Sequence, residues 1–98
     1  MQNQIELINK NIEKSNTLLK KYKLLYQNNY ETTHTKTIQV TMQLIEHLTQ
    51  VYNFNTNDFN NLIQSYKTDK EIINNLGGKQ IANFIACCLE NYFTSQGN

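Results

Sequence analysis

The chain has no proline, no tryptophan and no arginine, and only three glycines among 98 residues. With no proline, no rigid turn is imposed from within, and Asn, Asp, Thr and Gly must set the helix ends. With no arginine, the bidentate reader of guanine is missing. The two cysteines, Cys87 and Cys88, are adjacent. On a helix they point roughly 100° apart, so a bond between them would be badly strained. A reducing compartment is the simpler reading. Long apolar runs are missing as well. Residues 1–17 are too polar for a signal peptide, and the stretch Ile81–Leu89 is interrupted by Asn83 and too short to span a bilayer. No Asn-x-Ser/Thr sequon occurs. A soluble, cytoplasmic protein with no membrane partner is expected.

What is abundant is amide. Sixteen residues are Asn and nine are Gln, and all nine basic residues are Lys. An amide side chain both donates and accepts hydrogen bonds but carries no charge. It suits a hydrogen-bonding surface and is a poor tool for proton transfer or nucleophilic attack. Asn, Lys, Ile and Tyr share AT-rich codons, so part of the excess reflects an AT-rich genome, such as that of a bacterium, phage, protist or plasmid. Ten Ile, ten Leu, six Tyr and four Phe supply enough apolar mass for one small folded domain. Net charge is +1, which gives no long-range pull toward nucleic acid or acidic lipid.

The hydrophobic period is helical throughout. Ile5, Ile8, Ile12, Ser15, Leu19, Tyr22 and Tyr26 alternate in steps of three and four, which predicts a helix over 3–29 ended by Asn28-Asn29. The alternation of Ile38, Val40, Met42 and Leu44 fits a strand, but it has no partner strand anywhere. Continuation through Ile45, Leu48 and Tyr52 favours a helix over 35–53. That helix carries a second stripe at Val40, Leu44, His47, Val51 and Phe54. Further helices are expected over 57–67, capped by Thr56 or Asn57, and over 69–76, opened by a Thr68-x-x-Glu71 capping box and closed by Gly77-Gly78. The most apolar helix, 79–94, belongs at the centre. The expected fold is all-α: one compact bundle of four to five helices with a long N-terminal helical hairpin.

Chemistry-bearing patterns are sparse. Cys87, Cys88, His34 and His47 match no zinc spacing, and adjacent cysteines on a helix diverge. Asp69 and Glu71 sit where a helix start favours negative charge. Gly77-Gly78-Lys79 lacks the rest of a phosphate-binding loop. No catalytic residue, metal site or cofactor is therefore assigned. Lys14, Lys20, Lys21 and Lys23, with interleaved tyrosines, resemble a weak nucleic-acid surface.

These observations lead to an expected non-enzymatic protein–protein interaction module. It would block a larger protein or join it as an accessory subunit. Small inhibitors and immunity-type proteins, some of them phage- or mobile-element-encoded, are similar in size and composition, though no motif carries that likeness. The expected contact surface is the second stripe, Val40, Leu44, His47, Val51 and Phe54, with a homodimer as one way to cover it. The alternative is an accessory nucleic-acid-binding protein using Lys14, Lys20, Lys21 and Lys23.

Overall fold

The computed structural model describes residues 2–96, and side chains over 5–95. Five helices, and no strand among the described residues, follow in order: α1 (Gln2–Gln27), α2 (Thr35–Tyr52), α3 (Thr56–Thr68), α4 (Lys70–Leu76) and α5 (Lys79–Gln96). The all-α bundle expected from the hydrophobic period is present, and residues 35–44 are helix.

Helix ends are written by small polar residues. Asn29 takes φ 62°, and Tyr30 N–H and Asn29 N–H reach back to the carbonyls of Leu25 and Tyr26. This is the Schellman closure of a helix, with Asn in place of the usual Gly. Asn53 (φ 55°) ends α2 and Gly77 (φ 107°) ends α4.

Two caps differ from expectation by one or two residues. Asn55, rather than Thr56 or Asn57, opens α3: its side chain accepts from Asp58 N–H while Asp58 accepts from Asn55 N–H. Asp69, rather than Thr68, opens α4, with Oδ1 accepting from Glu71 and Ile72 N–H. Thr68 stays in α3, its hydroxyl donating to the Gln64 carbonyl. The carboxylate and carboxamide oxygens are better-placed acceptors than a threonine hydroxyl already engaged within its own helix.

α1 and α2 form the long hairpin and run antiparallel. Ser15 pairs with His47 and Tyr22 with Thr41, so residue numbers rise along α1 as they fall along α2. The centre belongs to α5, where Ala82, Ile85, Ala86, Cys88 and Leu89 are all buried. Small residues at 82 and 86 let neighbours approach closely, and α5 packs on each of the other four helices. Around it lie Leu18, Tyr22 and Leu25 of α1, Val40 and Leu44 of α2, and Phe59 and Ile63 of α3. Lys67 and Glu90 tie α3 to α5 at 2.7 Å. No described helix is long and apolar enough to cross a membrane.

Candidate functional site

The seam of α1 has two fates. Its second half, through Leu19, Tyr22 and Tyr26, packs into the bundle, and Tyr22 is essentially closed to solvent. Its first half does not. Ile5, Ile8 and Ile12 keep 61%, 57% and 51% of their surface. The reason is a length mismatch. α1 has 26 residues, about 39 Å, against 18 for α2. With Ser15 level with His47, the last residue of α2, Tyr52, is level with about residue 10 of α1. The start of α1, with Ile5 and Ile8, therefore runs past the end of its hairpin partner, while Ile12 lies level with about Gln50, in the last turn of α2. Steps of three and four keep Ile5, Ile8 and Ile12 within about 60° of one another around the helix, so they form one stripe. Leu7, also exposed, points elsewhere.

Ser15 marks the boundary between the two halves. Its Oγ lies 3.0 Å from His47 Nε2. His47 is 1% exposed. Burial, and then the nearby Lys14 ammonium, hold its imidazole below the usual histidine range. The Tyr52 ring stands edge-on to it at 6.0 Å. Beside this pair runs an apolar groove of about 240 Å³, with Leu19, Leu48 and Leu76 in its walls and Asn16 and Asn75 among its polar lining residues.

The second stripe of α2 is not the free surface expected of it. Val40, Leu44 and His47 are buried inside this chain, Phe54 is half-buried, and only Val51 is exposed. The physical reason lies with two threonines. Thr37 and Thr41 are as buried as the leucines and widen the inward face of α2. Thr41 Oγ1 donates to the Thr37 carbonyl and accepts from the Tyr22 hydroxyl. Counting only apolar residues, α2 shows two stripes; with Thr37 and Thr41 included, the stripe Val40–Leu44–His47 is its core face. Ile38, Met42, Val51 and Tyr52 are the large apolar side chains of α2 left outside.

The four lysines do not form one basic face. Lys14, Lys20 and Lys21 are exposed and Lys23 half-buried. Lys14 and Lys21 lie on the α2 side, where Lys21 Nζ donates to Gln43. Lys20 lies about 100° and Lys23 about 160° round from Lys21, and the Lys23 chain runs close to Gly77. One phosphate backbone could not follow all four together.

His34 and His47 do not converge. His34 caps α2, with Nδ1 accepting from Lys36 N–H, and thirteen residues of helix separate it from His47 by about 20 Å. Cys88 is buried against α2, its thiol pushed up to about 12 by burial, with Thr41 hydrogen bonding opposing the shift. A thiol so high is a weak nucleophile. Among the described residues, no group of three His, Cys, Asp or Glu side chains is arranged to hold a metal ion. Compared with known protein families, curated proteins and solved structures, the chain matches none.

The exposed stripe of α1 was visible in the sequence as periodicity. What the sequence did not show was which half of it the bundle would leave uncovered. That depends on the hairpin register, and the register is set by Ser15–His47 and Tyr22–Thr41.

Proposed function

We propose that this protein is a non-enzymatic protein–protein interaction module whose contact surface is the first half of α1. One observation carries this reading: Ile5, Ile8 and Ile12 share a face and each keeps more than half of its surface in water. Single exposed apolar residues are ordinary, but an aligned row on one helix marks a contact. A straight apolar seam flanked by polar residues takes a helix or a groove. The module would act by covering a site on a protein partner or by assembling as a small subunit. Its free thiols, Cys87 and Cys88, suit a reducing cytoplasm.

The test uses the full chain, tagged, expressed in its host beside an untagged copy. A protein recovered in stoichiometric amounts, the untagged copy included, should be lost on Ile5→Glu/Ile8→Glu/Ile12→Glu. Recovery unaffected by the triple substitution would overturn the assignment of the surface.

A further inference from the structure

The seam of α1 is chemically its own complement. We infer that a second copy of this chain covers it, α1 against α1 in antiparallel orientation about a two-fold axis; this rests on the stripe being a contact surface at all.

The free part of the seam runs from Ile5 to Ser15, where His47 of the same chain takes over. Its positions are Ile5, Ile8, Ile12 and Ser15, the three-four spacing of a coiled-coil seam. When two such segments lie antiparallel with paired residue numbers summing to 20, Ile8 meets Ile12 twice and Ile5 meets Ser15 twice. All four seam positions are then used. Ile5 of each chain then comes level with its partner's Ser15, where the partner's own His47 closes the seam.

The flanks point the same way. Asn9, Asn11 and Asn16 border the seam. In coiled coils, charges at bordering positions set partner choice and orientation. An amide donates and accepts at once, so identical amide borders can pair without repulsion. The remaining charges of the segment, Glu6, Lys10, Glu13 and Lys14, sum to zero, so two copies do not repel over it. Antiparallel packing also sets opposite helix dipoles side by side. A strongly charged partner would find nothing on these borders to recognise.

The contact is small. Eleven residues span about 16 Å and a helix is about 10 Å across, so each chain offers on the order of a few hundred Å², below the roughly 1,200 Å² total of standard specific assemblies. The association is therefore weak and concentration-dependent, and a two-fold contact of this kind closes on itself at two copies.

Sedimentation equilibrium on the full chain between about 1 and 100 μM tests this, in the range where so small an interface is expected to exchange. The expected mass rises from that of one chain, 11.5 kDa, toward twice that value. Ile8→Glu/Ile12→Glu should stay at one chain throughout, with helicity and melting temperature close to the parent because both positions are more than half exposed. A parent chain that stays at the single-chain mass at the top concentration overturns the dimer, as does a doubly substituted chain that still doubles. If the parent is a monomer yet the Glu substitutions abolish a stoichiometric partner in the host, the dimer fails and the interaction surface stands. If the substitutions change neither mass nor partner recovery, both fail.

Discussion

Ser15 Oγ and His47 Nε2 meet at 3.0 Å at the level where α1 passes from open seam to closed core. Below this pair, toward Tyr22, the face of α1 is buried by its own chain; above it, toward Ile5, the same face is in water. A polar residue at the Ser15 seam position is therefore no defect. It satisfies a buried imidazole, and it ends the free seam where the bundle begins.

The histidine makes stability depend on pH. Its folded-state pKa lies below its unfolded value of about 6.5. The unfolded chain therefore binds the proton more readily, and acid favours unfolding. The contribution is fully present above about pH 6.5 and is lost as pH falls through that value toward the folded-state pKa. The groups that bear on this site are Lys14 and Ser15 from α1, with Tyr52 and the neighbouring Glu46 from α2. Urea melts from pH 7.5 to 5 should show falling stability for the parent. His47→Gln should show a flatter profile in that window, and an equally steep one would contradict the assignment.

The buried Tyr22–Thr41 bond, 2.9 Å, lies in the core beneath. Burial pushes the Tyr22 phenol well above its ordinary range, so it remains a donor at any ordinary pH. Tyr22→Phe keeps the ring and its edge contact with Phe84 but removes that donor. The expected loss is about 1 kcal/mol, the usual net worth of one internal hydrogen bond, read from denaturant melts. Thr41 still donates to the Thr37 carbonyl, which keeps the loss small.

Leu89 has no exposed surface and sits at the centre of the bundle. Leu89→Ala should cost roughly 2–5 kcal/mol through lost burial and a residual cavity. Ile8→Ala, on the open seam, should cost well under 1 kcal/mol in the isolated chain, as is usual for surface substitutions. Thermal or urea melts of the two variants at low micromolar concentration separate core from contact surface.

The caps give a sharper discrimination. Asp69→Ala should cost about 0.5–2 kcal/mol because two amides of α4 lose their acceptor. Thr68→Ala should be nearly neutral, since its hydroxyl only returns to the Gln64 carbonyl. The reverse order in a urea melt would restore Thr68 as the cap.

Much of this architecture is legible in the sequence alone. The three-four period of α1 and the Gly77-Gly78 stop are local signals, and local signals fix helices to within a residue or two. The arrangement of contact faces was not local. Val40, Leu44 and His47 read as surplus because Thr37 and Thr41 do not look like core. Thr41 becomes core once Tyr22 and the Thr37 carbonyl take up its hydroxyl, whereas the Thr37 hydroxyl is buried without a hydrogen-bond partner among the described residues. The same tertiary contacts decide that Ile5, Ile8 and Ile12 are left over. The lysines failed as a single patch for a simpler reason: 20, 21 and 23 are consecutive enough in sequence to look clustered, yet helical rotation spreads them.

Hydrogen–deuterium exchange along α1, compared between about 1 and 100 μM protein, tests the self-complementary seam most directly, because it reports where protection appears as well as whether it does. The account predicts that amides over 5–15 exchange several-fold more slowly at the higher concentration, while α3 and α5 are unchanged. Exchange over 5–15 that is independent of concentration, or protection that arises instead around Ile38 and Met42, would contradict it.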